Sequence, residues 1–188
     1  MRYVIYKALL ITLFAVNSLN ASTMIEQSDE QIINRAEYVI YGYVADINTI
    51  IEKQNTPFQY ITIAVEKIYK NSPDMPLYEY DQIVIRQIGG EAEGITLDID
   101  SLSNFKPDTN VFLSLKQDGN GFFYVVGNSQ GHYEMQDEML VKDTEEEQTA
   151  FISYNNMDGT MKLNQGKKNA ISLEAMEEKV ERLVGRGE

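Results

Sequence analysis

His132 is the only histidine in a chain that has no cysteine. Thiolate nucleophiles, thiolate zinc sites, disulfides and lipid attachment to an N-terminal cysteine are therefore excluded. Imidazole chemistry must run through His132, in Gln130-Gly131-His132-Tyr133. A general base needs a carboxylate or hydroxyl within hydrogen-bond reach, and no nucleophile-elbow pattern supplies a partner. The plainer expectation is a surface or half-buried imidazole bonded to a backbone carbonyl.

Glu91, Glu93, Asp98 and Asp100 bring four carboxylates into ten residues. Hard cations want such oxygens, but the Asp-x-Asp-x-Asp-Gly order of a calcium loop is missing. Asp118-Gly119-Asn120-Gly121 starts like one and lacks the later ligands. If the four acids sit in strands, they mark solvent faces. A glycosidase-type carboxylate pair depends on separation in space, which spacing in sequence does not give. The expectation is no catalytic residue, no metal and no cofactor.

Twelve tyrosines are many for 188 residues, and seven of them cluster between Tyr38 and Tyr80 in the first half. Aromatic rings with polar tips suit protein interfaces and carbohydrate faces; they are also good strand residues. Tyr38, Tyr41, Tyr43, Tyr60 and Tyr69, with His132, are the candidate binding face.

The elements that would carry these residues are mostly strands. Ser28-Asp29-Glu30-Gln31 reads as a capping box opening a short helix that ends near Ala36. Tyr38 to Val44 reads as strand, with Gly42 marking a bulge or bend. Asn55-Thr56-Pro57 reads as loop. Ile61, Ile63, Val65 and Tyr69 alternate cleanly along one face of a strand from Tyr60 to Tyr69, and Lys67 on that face marks where it leaves the core. Asn71 to Pro76 breaks it with two prolines. Ile83 to Ile88 forms a strand closed by Gly89-Gly90, and Glu91 to Asp100 a weaker one. Val111–Leu115 and Phe122–Val126 flank Asp118–Gly121, a hairpin signal. Gly131–Met135 and Met139–Val141 follow, then a loop at Glu145–Glu147 and a second hairpin around Asn155–Gly159. Leu173, Met176, Val180, Leu183 and Val184 form one apolar helical stripe, capped by Ser172 and stopped by Gly185.

Short strands with turn signals every 8–12 residues predict a mainly β fold: an OB-like antiparallel barrel or sandwich with a short N-terminal helix and a C-terminal amphipathic helix. The first residues have the layout of a secretory signal: basic Arg2 and Lys7, an apolar run from Ala8 to Val16, then small polar residues with a cut expected after Ala21. The apolar run is far short of the ~20 residues that cross a bilayer as a helix. The expected organisation is a signal peptide over 1–21, a β-barrel domain over 22–145, and a C-terminal extension over 146–188, a hairpin plus helix packed on the barrel. The net charge is −13; losing Arg2 and Lys7 leaves 14 bases against 29 acids, or −15. Such a chain is repelled by nucleic acid and by anionic membranes. Export without cysteine points to a bacterial-type periplasmic or extracellular protein with no transmembrane span after signal removal.

Five segments in order carry a resemblance. Ala36-Glu-Tyr-Val-Ile-Tyr-Gly-Tyr-Val44 resembles an "Ala-Asp, apolar run, Gly-x-Val" opening, and Val65-Glu-Lys-Ile-Tyr-Lys-Asn71 a "Val-x-x-apolar-apolar-Lys-Gly" segment. Ile83-Val-Ile-Arg-Gln-Ile-Gly-Gly90 resembles "Val-x-Val-Arg-x-x-Gly-Gly". Phe105 to Leu115 resembles "Phe-x-x-Gly-Glu-x-apolar-apolar-apolar-x-Leu", and Tyr124 to Tyr133 "Tyr-x-Val-Gly-x-x-Gln-Gly-Lys-Phe". Together they are similar to a family of exported bacterial proteins to which no activity is attached. The first two also resemble the opening strands of the netrin-like, tissue-inhibitor-of-metalloproteinase domain, an OB-type barrel. Asn71 stands for the family glycine, Asp108 and Thr109 for Gly-Glu, and His132 for a lysine. Those inhibitors chelate zinc through an N-terminal cysteine, so the resemblance implies a fold and not that inhibition.

The function expected is a secreted or periplasmic non-catalytic binding or accessory protein, its partner an envelope protein, a protease or a glycan. The alternatives are a structural cell-envelope component and a hydrolase built on carboxylates or His132.

Overall fold

The computed structural model describes residues 22–142, 149–154, 161–165 and 170–185. The expected signal peptide, the loop at Glu145–Glu147 and the turn at Asn155–Gly159 lie outside the described residues. Strand β1 (Ser22–Ile25) leads into helix α1 (Asp29–Arg35). The capping box is present: the Gln31 N–H donates to Ser28 Oγ at 3.2 Å, and the Ser28 N–H donates to Gln31 Oε1 at 2.9 Å.

β2 (Tyr38–Glu52) and β3 (Thr56–Lys70) are longer than the sequence pattern predicts, fifteen residues each. A tight turn over Lys53–Asn55 joins them, with Gln54 and Asn55 at positive φ. Thr56 and Pro57, expected in a loop, open β3; proline is tolerated at the first positions of a strand. Three register shifts interrupt the β2–β3 ladder, one of them between Tyr41 and Gly42. A Cβ on Gly42 would stand 2.5 Å from the Ala64 carbonyl oxygen, so the close approach of the two strands requires glycine there.

β4 (Gln82–Ile88) pairs antiparallel with β3. The Glu91–Asp100 stretch, expected as one weak strand, is a small hairpin of β5 (Gly90–Ala92) and β6 (Ile95–Leu97) followed by a loop. Glu93 and Gly94 both take positive φ at its turn, which breaks the strand in two. β7 (Asn110–Gln117) pairs antiparallel with β2 and, through the Asp118–Gly121 turn, with β8 (Phe123–Val125). β8 also meets β4 in parallel, at Ile85 and Phe123. The pairings thus run β2-β3-β4-β8-β7 and return to β2.

β9 (His132–Gln136), β10 (Met139–Lys142) and, near the C-terminus, β13 (Ala170–Ser172) extend the sheet from β7, with all three pairings antiparallel. β11 (Thr149–Tyr154) and β12 (Met161–Gln165) form a separate antiparallel pair, and β1 joins β11 in parallel. Helix α2 (Leu173–Val184) closes the described chain; Ser172 Oγ accepts from the Ala175 N–H at 3.2 Å. The protein is mainly β. Among the described residues no helix is long and apolar enough to cross a membrane.

Two apolar layers share β2 and β7. Tyr38, Ile40, Val44, Val111, Leu113 and Leu115 face one cluster with Ile61, Ile63, Val65, Ile83 and Ile85. Val39 and Phe112, the alternate residues, face a second cluster with Ile32 and Ile33 of α1 and Met176 and Val180 of α2. Period-two alternation sends neighbours to opposite faces; here both faces are covered, so both sets are buried. The helical stripe divides accordingly: Met176 and Val180 are fully buried, and Leu173, Leu183 and Val184 are partly buried against the same cluster.

Candidate functional site

The six residues expected to share a binding face are dispersed. Tyr38 lies inside the first cluster, its hydroxyl donating to the Met75 carbonyl at 2.8 Å. His132 is fully buried and stacked on Phe105, with ring centroids 4.5 Å apart. Tyr41 and Tyr69 pack on the second cluster, and the Tyr69 hydroxyl donates to Glu177 of α2 at 2.5 Å. Tyr43 reaches Asp108. Tyr60 stands apart from the other five, on the outer side of β3. The alternation that marks strands does not say which strand face remains open, which is why tyrosines chosen from it scatter. Tyr78 and Tyr80 are exposed in the loop between β3 and β4.

Around Tyr60 a different group assembles. Ile61, Ile63 and Ile85 point inward, so the flanking Tyr60 and its cross-strand partner Arg86 point outward. The Arg86 guanidinium lies 3.9 Å from the centroid of the Phe58 ring. It forks onto Glu52, Nε to Oε1 at 2.8 Å and Nη2 to Oε2 at 2.6 Å. The Tyr60 hydroxyl donates to the same carboxylate at 2.7 Å. The bonds from Arg86 and Tyr60 hold the Glu52 carboxyl below its ordinary value. Arg86 is therefore spent on Glu52 and leaves little charge for an anionic ligand.

Phe122 meets Tyr60 edge to face, with centroids 5.5 Å apart. Its own N–H donates to Asp118 Oδ1 at 2.9 Å, as does that of Asn120 at 2.8 Å. Asp118 is thus a turn residue. Desolvation pushes its carboxyl up, and these backbone donors outweigh that and leave it lowered. The β2–β3 turn, through Glu52, and the β7–β8 turn, through Phe122, converge on one face.

Beside this face β4 and β8 part after their single register pair. Ile88, Leu102, Tyr124 and Asn128 line the resulting groove, of about 180 Å³. Tyr124 keeps 44% and Ile88 36% of their surface exposed. The groove shares Gln87, Ile88 and Leu102 with a larger cleft of about 330 Å³, whose wall carries Glu91, Asp98 and Asp100. Three of the four clustered acids therefore meet at one cleft, while Glu93 sits exposed at the hairpin turn. Among the described residues no group of three or more His, Asp or Glu is placed to hold a metal ion.

A second polar centre lies on the far side, under α2. Asp29 accepts from Lys142 at 2.9 Å, Lys179 at 2.7 Å and the Tyr133 hydroxyl at 2.6 Å. Burial pushes the Asp29 carboxyl up, but the two ammonium groups and Tyr133 outweigh it and hold it well below the carboxylate range. Burial and Asp29 together push the Tyr133 phenol up. The adjoining void is only about 10 Å³, too small for a substrate, so the cluster ties α1, β9, β10 and α2 together.

No protein-family model, curated protein or solved structure matches the chain. Phe58, Arg86, Phe122 and Tyr124 escape the sequence reading. The signal that could have found them is phase: Phe58 and Tyr60 alternate against Ile61, Ile63 and Val65, and Phe122 adjoins the turn.

Proposed function

We propose that this chain is an exported, non-catalytic binding protein, periplasmic or extracellular, whose five-strand ring is an OB-type barrel. Its ligand lies on the outer face of β3, β4 and β8. The observation that carries the reading is the gathering of Phe58, Tyr60, Phe122 and Tyr124 about an arginine already neutralised by Glu52. OB-folds bind on the face of their second and third strands, between the loops joining strands one to two and four to five. Counted around the ring, those strands are β3 and β4, and those loops are the Lys53–Asn55 turn and the Asp118–Gly121 turn. Half-exposed aromatic rings favour binding because they gain apolar contact at little entropic cost. Binding rather than catalysis is supported by the burial of the one histidine against Phe105, away from any substrate. Export rests on the N-terminal pattern of the sequence.

The structural-component reading depends on α2 docking on a neighbour. It has less support, because Met176 and Val180 are covered by this chain's own α1 and sheet.

The test is capture from envelope extract by immobilised mature chain, compared with Tyr124→Ala and Phe122→Ala variants that keep the wild-type melting midpoint. Recovery of a ligand that both variants lose, chemically unchanged after incubation, is the expected result. Equal capture by the variants, or conversion of the ligand to a product, overturns the reading.

A further inference from the structure

The open edge of β4 decides what kind of ligand fits. The Gly89 N–H donates to the Pro57 carbonyl at 2.9 Å, in line with the register Ile88↔Phe58 and Gln87↔Gln59. In an antiparallel ladder, backbone groups of alternate residues point to alternate sides. Ile85, Gln87 and Gly89 therefore turn their N–H and C=O groups to β3, and Arg86 and Ile88 turn theirs away from it. On that side β8 meets β4 at Ile85 alone. Beyond Phe123 the strands separate, and the Arg86 carbonyl and both backbone groups of Ile88 border the groove with no strand opposite among the described residues.

An unpaired strand edge flanked by a groove is the arrangement that accepts an added strand. The side-chain environment changes along it. At the β8 end, Ile88, Leu102 and Tyr124 offer apolar contact. Past Gly89-Gly90 the wall carries Glu91, Asp98 and Asp100, and among the described residues no lysine or arginine lines that cleft. Opposite charge across an interface selects partners and fixes register.

Resting on the ligand face proposed above, we infer that the ligand is an extended peptide segment that adds to the free edge of β4, its apolar residues against Tyr124 and Ile88 and its basic residues in the acidic cleft. Main-chain pairing supplies sequence-independent binding; the apolar-to-acidic gradient supplies selectivity.

The probe is a blocked octapeptide alternating valine and lysine, titrated into isotopically labelled mature protein and followed by backbone amide shifts. Shifts concentrated on Arg86 to Glu91 and on Tyr124 are expected. A glutamate-for-lysine peptide should bind at least tenfold more weakly, and so should one of two peptides N-methylated at alternate residues, since only one set of amides faces β4. Asp98→Asn combined with Asp100→Asn should weaken the lysine peptide several-fold without moving the melting midpoint. No shift at Arg86 to Glu91, equal binding by the glutamate peptide, or full binding by both methylated peptides overturns the inference. If the peptides fail while extract still yields a ligand lost in Tyr124→Ala, the ligand face stands and its peptide occupant falls. A soluble oligosaccharide that shifts the same amides likewise keeps the face and removes the peptide.

Discussion

Lys142 Nζ donates to Asp29 Oδ1 at 2.9 Å across 113 residues of chain. With Lys179 and Tyr133 on the same carboxylate, the contact joins the first helix to the last one and to the sheet between them. Lys142 is nine-tenths buried, and its ammonium is held against the Asp29 carboxylate.

Asp29→Asn is expected to cost about 2–4 kcal/mol at neutral pH, because it leaves a buried ammonium without its counter-charge. The folded carboxyl ionises well below its ordinary 3.8. Its stabilisation is complete above the unfolded pKa and is lost as pH falls through that value toward the folded one. Thermal melts should show a wild-type advantage that is flat between about pH 5 and 7 and closes steadily below about pH 4. A gap that persists unchanged into strong acid would mean that the carboxylate is not the source.

Ile63 is fully buried between β2 and β4. Ile63→Ala removes apolar contact and leaves a cavity, for a loss of about 2–5 kcal/mol. Urea melts should show a lower midpoint at unchanged slope. Tyr60→Ala, on the open side of the same strand, should cost clearly less.

Gly42→Ala places a methyl 2.5 Å from the Ala64 carbonyl oxygen and 3.0 Å from Ile63 Cγ2. The first neighbour is backbone and cannot step aside, so a loss of roughly 1–3 kcal/mol is expected. Gly119→Ala is the control: among the described residues nothing stands within 4 Å of its added Cβ, and its effect should stay within about 0.5 kcal/mol. Equal midpoints for the two variants would contradict the bulge geometry at Gly42.

Met176 is fully buried against α1 and the sheet, and Met176→Ala should cost about 2–5 kcal/mol. Deleting Ile171 to Glu188 removes this helix and also most of β13 from the edge of β10, so the truncated chain should melt lower with its oligomeric state unchanged. If it melts as before but loses an oligomer, α2 serves a partner instead.

Mass spectrometry of the native protein should find an N-terminus between Leu19 and Thr23, because the apolar run from Ala8 to Val16 is too short to anchor as a spanning helix. Recovery of intact Met1 in a membrane fraction would sink the export reading.

Much of the local architecture is legible in the residues themselves. The Ser28–Gln31 capping box, the Asp118–Gly121 hairpin, the inward run of Ile61, Ile63 and Val65, and the Ser172 cap all stand where the spacing puts them. Each depends on hydrogen bonds or alternation within a few residues, so the information is contained in the segment. The candidate site is not legible in this way. Arg86 meets Phe58 and Phe122 meets Tyr60 only because β3 pairs with β4 and the β7–β8 turn brings Phe122 to β3.

The sequence by itself determined the β character of the chain, the phase of its strands up to Val65, the positions of α1 and α2, and the chemistry excluded by having one histidine and no cysteine; past Val65 the register shifts of the β2–β3 ladder turn Tyr69, expected on the face of Ile61, to the second cluster. Tertiary structure alone decided which phase is open. Tyr38, Tyr41 and Tyr60 look alike in sequence, yet one is sealed inside the first cluster, one packs on the second and one faces solvent beside Arg86. Alternation fixes that neighbouring side chains point opposite ways; what covers each side is set by partners that arrive from elsewhere in the chain. The same holds for the parting of β4 and β8 after Ile85 and Phe123: the gap is a property of how the ring closes, and neither strand carries it alone.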